Sequence, residues 1–365
     1  VSEIVHFNGR IFDDDRVLPL DTDALDILAR VSTLDWSSIE PSILGTLFER
    51  SLDPDKRAQL GAHYTSREDI LLIVEPVLMA PLRRRWEQVQ TDAEDLARRR
   101  DEAQTSRTRD NRQKDLSNLI MGFAEELASV RVLDPACGSG NFLYVALKQL
   151  LDLWKELSVL AGDLGLPRIS PLASVSPSPA QLHGIEINDY AHQLAQATIW
   201  IGYIQWLNEN GFGLPGEPIL KPLDTIHHMD AILAYDDEGQ PVEPEWPEAE
   251  VVIGNPPFLG AQRLRRELGD DYVDSLFELY GDRVPGAADL VCYWFERTRD
   301  LIASRIASRA GLLATQAIRS GRSRQVLDRV KASGDIFMAW SDRPWVLDGA
   351  DVRVSIVGFD DGSER

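Results

Sequence analysis

A chain of 365 residues, 44% of them hydrophobic, carries enough apolar material for one large domain or two ordinary ones, which excludes disorder throughout. A formal charge of -21 excludes a protein that clamps nucleic acid over its whole surface, because phosphate neutralisation needs clustered lysine and arginine. Only Cys137 and Cys292 are cysteines, which excludes a disulfide framework, and no apolar run is long enough for a bilayer, so a reducing cytoplasm without a membrane is the expected setting.

In chain order, residues 20–52 predict two helical segments, with Asp21 or Asp23 and Ser37 or Ser38 as caps. Residues 68–85 predict another helix, broken or kinked by Pro76 and Pro81. The charged stretch 86–115 suits an exposed helical hairpin or a mobile insertion. From residue 130 the pattern changes to a β-type run at 130–133, a Gly-rich turn and an amphipathic helix from Asn141 to about Trp154. A Gly/Pro/Ser linker at 162–179 precedes a strand at 182–187 and a helix from Asp189 to about Asn208. A loop then leads to the segment 225–233, an apolar strand at 251–254, and later strands at 310–315 and 352–359. This alternation predicts an α/β fold with a doubly wound, mostly parallel sheet, which binds ligands at the carboxyl ends of its strands. The division expected is a helical N-terminal region, 1–128, and a sheet domain, 129–365.

Three strand ends carry residues suited to a nucleoside ligand. Asp134-Pro135-Ala136-Cys137-Gly138-Ser139-Gly140-Asn141-Phe142 follows a strand and opens a helix, so its glycines and helix amides favour a polar group close to the backbone. It lacks the third glycine of a dinucleotide fingerprint and the Gly-Lys-Ser/Thr of a nucleotide triphosphate loop. Glu186, in Gly184-Ile185-Glu186-Ile187-Asn188, is placed to accept from two ribose hydroxyls, and Asp230 to meet an adenine amine. The most specific signal is Val251-Val252-Ile253-Gly254-Asn255-Pro256-Pro257-Phe258, where the prolines stiffen the backbone. The Asn255 side-chain carbonyl and the Pro256 main-chain carbonyl can both accept from one planar amine, and Phe258 offers a face for stacking a base.

These motifs resemble those of amino-methylating DNA methyltransferases, and the Asn-Pro-Pro-Phe form resembles the gamma group that methylates the N6 amine of adenine. Gly61-Ala62-His63-Tyr64-Thr65-Ser66 is similar to the segment that closes over the cofactor's methionine end in that group. Residues 282–291 and 340–345 are similar to the MmeI-like branch of type II restriction-modification enzymes, and the likeness runs from about residue 43 to 361. The resemblance implies the class I fold of S-adenosylmethionine-dependent methyltransferases, with cofactor contacts at Tyr64, Thr65, Asp134, Ala136, Gly138, Glu186, Asp230 and Asn255. It implies that Asn255, Pro256, Pro257 and Phe258 form the catalytic strand end, that a flipped adenine of double-stranded DNA occupies it, and that no metal takes part. Neither cysteine follows a proline, so the nucleophile of ring-carbon cytosine methylation is missing.

None of the six lysines has an acid two positions before it, so no cleavage of DNA is expected from this stretch. Reading of the target is expected from a target-recognition domain or partner subunits, within a restriction-modification or phage-defence system. Weak DNA binding is expected from a local patch, Arg263, Arg265, Arg266, Arg319, Arg322 and Arg324. Two other readings stay open: methylation of another planar amine, in cytosine, RNA adenine or protein glutamine, and a non-catalytic scaffold. Phe258 in place of tyrosine and the long match beyond the core motifs favour DNA adenine.

Overall fold

A computed structural model describes residues 19–34, 39–41, 43, 65–170, 175–212, 223–347 and 350–364. The first helix, α1 (Thr22–Ser32), is capped by Asp21, whose side chain accepts from the Ala24 amide at 2.8 Å. The second predicted helix, with Ser37 or Ser38 as its cap, falls largely outside the described residues, as does Tyr64. Helix α2 (Arg67–Val74) is capped by Ser66 and passes through a π-helical turn, Glu75–Met79, into α3 (Ala80–Asp101). Pro76 falls in the π turn and Pro81 in the first turn of α3, so the predicted break is a local change of helical pitch.

Helix α4 (Ser106–Ser129) completes a hairpin with α3. The charged stretch is therefore an ordered hairpin rather than a mobile insertion, and it is exposed on one side only. Trp86, Val89, Ala93 and Ala97 on α3 and Leu116, Ile120, Phe123 and Leu127 on α4 are buried, and the Trp86 and Phe123 rings stack with centroids 5.6 Å apart. Their spacing of three and four residues puts them on one helical face.

The remaining elements are β1 (Val132–Asp134), α5 (Asn141–Asp163), β2 (Leu182–Glu186), α6 (Asp189–Glu209) and β3 (Ile226–His228). A small hairpin, β4 (Ala234–Tyr235) and β5 (Pro241–Val242), precedes β6 (Val251–Gly254), α7 (Ala261–Leu268), α8 (Asp270–Tyr280) and α9 (Val291–Ala303). The chain continues as β7 (Arg309–Thr315), α10 (Arg324–Ser333), β8 (Asp335–Leu347) and β9 (Ala350–Asp360). The seven-stranded sheet has the order β3-β2-β1-β6-β7-β9-β8, parallel from β3 to β7, with β9 antiparallel to β7 and β8 antiparallel to β9. The expected doubly wound sheet is present, with β8 as an additional edge strand.

Alternation along the central strands joins the two faces of the sheet to separate cores. Val132, Val251, Ile253 and Leu313 pack with residues of the helices α2 to α6, such as Ile73, Leu116, Trp154 and Ile199. Leu133, Val252, Leu312 and Ala314 pack with residues of α8, α9 and α10, such as Leu276, Phe295 and Val330. Burial on both faces explains why these strands read as continuous apolar runs. The chain leaves β1 for β2 and β3 on one side and returns to β6 on the other, which opens a crevice at the carboxyl ends of β1 and β6.

Candidate active site

That crevice is a cavity of about 300 Å³ lined by the ends of β1, β2 and β6 and by residues of α5, α7, α8 and α9. The loop after β1 folds tightly because the Cys137 amide donates to the Ile185 carbonyl at 3.0 Å and the Gly140 amide to the Cys137 carbonyl at 2.8 Å. Gly140 has φ of 83°, and a Cβ there would approach the Ala195 backbone to 3.1 Å, so glycine lets α5 begin hard against α6. Of the residues expected to form the site, Thr65, Asp134, Ala136, Gly138, Glu186, Asp230, Asn255 and Pro257 all line the cavity. Pro256 is buried and Phe258, partly buried, packs against both cores; neither is part of the lining.

The acids of the site differ in how far they are satisfied. Glu186 accepts from the Gly138 amide at 2.9 Å through Oε2 and from the Asn188 amide at 2.8 Å through Oε1, which ties the two loops together. Burial raises its pKa, opposed by the amides of Asn188, Gly138 and Ile187. Asp230 accepts from the Ile232 and Leu233 amides through Oδ1, at 2.8 and 3.1 Å, and from the Tyr272 hydroxyl through Oδ2 at 2.7 Å. Asp134 is almost fully buried, accepts from the Ala136 amide at 3.0 Å through Oδ1, and leaves Oδ2 without a partner. Burial, opposed by the Ala136 amide and reinforced by Glu186, pushes its pKa up to about 8. A Cβ at Gly254 would come within 2.5 Å of Asp134 Oδ1, so the glycine before Asn255 makes room for this carboxyl.

Asn255 directly follows β6 and lies beside Thr65, to whose Oγ1 its Nδ2 donates at 3.2 Å. This turns Oδ1 to the other side, where it is buried and unpartnered. Asp289 is buried and accepts from the Leu259 amide at 3.2 Å and the Val291 amide at 3.3 Å, bracing the segment after Phe258 against the start of α9. Asn141, at the first turn of α5, also lines the cavity with a buried, unpartnered Oδ1. Trp294 donates through Nε1 to the Pro135 carbonyl at 3.0 Å and closes the floor. Neither Tyr272 nor Trp294 was singled out by the sequence, whereas Asn141 ends the Gly-rich loop expected at the cofactor. Asn141 had a signal, the first helical position after a Gly-x-Gly turn; Tyr272 and Trp294 had none.

The expected basic patch is largely neutralised by local acids. Arg263 pairs with Glu267 at 3.3 Å, Arg265 with Asp270 and Asp274 at 3.0 and 2.6 Å, and Arg266 with Glu267. Arg319 pairs with Asp342 at 2.6 Å and Arg324 with Asp328 at 3.6 Å. Among the described residues, only Arg322 of the six has no acid partner.

The sequence profile of the MmeI DNA-methyltransferase domain matches residues 105–365. The chain belongs to that family. Membership makes S-adenosylmethionine the methyl donor, and the sheet is the class I methyltransferase fold. The chain is 27% identical over 374 residues to DNA methyltransferase A of Bacillus subtilis (strain 168), covering 98% of this chain and 38% of that protein. Its fold matches the type IIL restriction-modification enzyme MmeI, solved in complex with DNA, with a TM-score of 0.75 and 24% identity, over 98% of this chain and 45% of that one. The DrdV–DNA complex matches with a TM-score of 0.50 and 15% identity, over 92% of this chain and 30% of that one. The MmeI-family chain thus spans less than half the length of these relatives. Among the described residues no helix is long and apolar enough to cross a membrane.

Proposed function

We propose that this chain transfers the methyl group of S-adenosylmethionine to the N6 amine of an adenine flipped out of double-stranded DNA, as the methylating module of a restriction-modification or phage-defence system. The observation that carries the proposal is Asn255 Oδ1, a buried acceptor with no partner, held in place through Nδ2 by Thr65. A buried acceptor left unmade costs about 1–3 kcal/mol, so its persistence at a cavity wall favours a ligand donor there.

The cavity residues fit the cofactor. The unpartnered Oδ2 of Asp134 and Oδ1 of Asn141 suit the methionine ammonium, which has donors only. Each Glu186 oxygen has accepted one amide and keeps capacity for one ribose hydroxyl. Asp230 suits the adenine amine, and the Ala136–Gly138 backbone lets the chain approach closely. Thr65, and Tyr64 on the family pattern, close the methionine end. When bound, S-adenosylmethionine supplies an electrophilic methyl for direct displacement.

On the substrate side, Asn255 Oδ1 accepts one N–H of the amine and the Pro256 carbonyl the other. Both acceptors draw the nitrogen lone pair away from the ring and toward the methyl, so positioning is the chief source of rate. Phe258, partly buried beside the cavity, is the residue assigned to stack the base, and Pro257 lines the cavity. Leaving the duplex costs the adenine a few kcal/mol, recovered in these contacts. Labelled-methyl transfer to duplex DNA, single-stranded DNA, RNA and protein tests the proposal: label on adenine N6 of duplex DNA is expected, and label confined to cytosine, RNA or glutamine would replace it.

A further inference from the structure

We infer that Tyr272, which belongs to none of the sequence motifs, is a positioning residue that sets the cavity's preference for a 6-amino purine. The inference rests on the reading above, in which Asp230 meets the adenine end of the cofactor. An ionised carboxylate offers about four acceptor sites. In Asp230 two are used on Oδ1 by the Ile232 and Leu233 amides, and one on Oδ2 by the Tyr272 hydroxyl. One site remains, on Oδ2, and Asp230 and Tyr272 both line the cavity wall, where a ligand donor can reach it.

The two halves of this arrangement have different origins. The amides of Ile232 and Leu233 belong to Asp230's own turn and fix Oδ1. Tyr272 comes from α8, so it ties the turn after β3 to the helix that follows the catalytic strand. Without that hydroxyl, Oδ2 would have two open sites and no neighbour to choose between them. With it, one site on Oδ2 remains in a fixed place, and like every carboxylate site it can only accept. A purine carrying an amine at C6 presents a donor there. A purine carrying an oxo group presents an acceptor, and two acceptors repel. Burial and the adjacent Asp230 carboxylate raise the phenol pKa, so the hydroxyl keeps the proton that it donates.

Calorimetric titration of the full chain with S-adenosylhomocysteine and with its 6-oxo counterpart, S-inosylhomocysteine, tests this. The wild type is expected to prefer the amino ligand. Tyr272→Phe, which keeps the ring and its packing, is expected to weaken the amino ligand roughly tenfold, because Oδ2 is no longer held in place before the ligand arrives, and to leave the 6-oxo ligand within about twofold. In an Asp230→Asn background the Phe substitution should have little further effect, because the two residues act as one unit. Unchanged selectivity in Tyr272→Phe, equal losses for both ligands, or additive effects with Asp230→Asn would overturn the role of Tyr272 alone. A wild type indifferent to the two ligands would overturn the placement of adenine at Asp230, and this inference with it.

Discussion

At the Glu186 and Asp230 end of the cavity every carboxylate oxygen already accepts a hydrogen bond from the protein, whereas at the Asp134, Asn141 and Asn255 end three buried oxygens have no partner. The first end keeps its shape without a ligand, because backbone amides and Tyr272 hold the oxygens in place. The second end carries unmet bonding capacity that only a donor entering the cavity can relieve. On the proposed reading, specificity for the nucleoside is built into the resting fold, and the strongest change on binding falls where the methyl group would pass.

The comparison is broken most severely at Asn255. Asn255→Ala should lower methylation of target DNA by at least about a hundredfold, because the amine loses its alignment, while cofactor affinity changes modestly. Near-wild-type turnover in a folded variant would contradict the assignment. Glu186→Ala attacks the preformed end and should weaken cofactor binding by something on the order of 1.5 to 3 kcal/mol. It also strips the Gly138 and Asn188 amides of their acceptor, so melting temperature should fall as well. Unaltered affinity, read by titration, would remove Glu186 from the site.

Asp134 sharpens the contrast through pH. Its folded-state pKa is about 8, whereas an unfolded aspartate titrates near 4, so the folded chain holds a proton that the unfolded chain has lost. Stability of the free protein should therefore decline as pH rises from about 4 to about 8. A ligand ammonium beside the carboxyl reverses the preference: affinity for S-adenosylhomocysteine should rise up to about tenfold per unit between about pH 6 and 8 and then level off. Asp134→Asn should flatten the profile, and a flat wild-type profile would place the ammonium elsewhere. The smallest effect concerns the surface. Arg322→Ala should reduce the salt dependence of DNA binding by about one unit of slope, and Arg265→Ala by less, since Arg265 is held by two acids.

The sheet and most of the cavity were legible because they rest on short segments whose residues have few other uses. A Gly-x-Gly turn after an apolar run, an acid ending the next strand and a doubled proline after a third each restrict the backbone sharply, and the sheet brings all three to one crevice, with β1 between β2 and β6. Tyr272 was not legible: it sits among Asp270, Asp271 and Asp274 on a helix that reads as a polar surface, and its partner is distant in sequence. Strand β8 was missed because Asp335, Ser341, Asp342, Arg343 and Pro344 break any apolar alternation, which an edge strand tolerates. The α3–α4 hairpin concealed its buried stripe because Ala93 and Ala97 are too small to stand out among arginines and acids.

Gly254 has a meaning for how such a sequence drifts. A side chain there would collide with the carboxyl of Asp134, which lies 120 positions earlier and on a different strand. The two sites are therefore not free to vary alone: a change from glycine to alanine at 254 evicts the acid at 134, and a longer acid at 134 presses on 254. Across descendants of this chain, tolerated replacements at these positions should occur as pairs, a statistical linkage that follows from less than 3 Å of missing space.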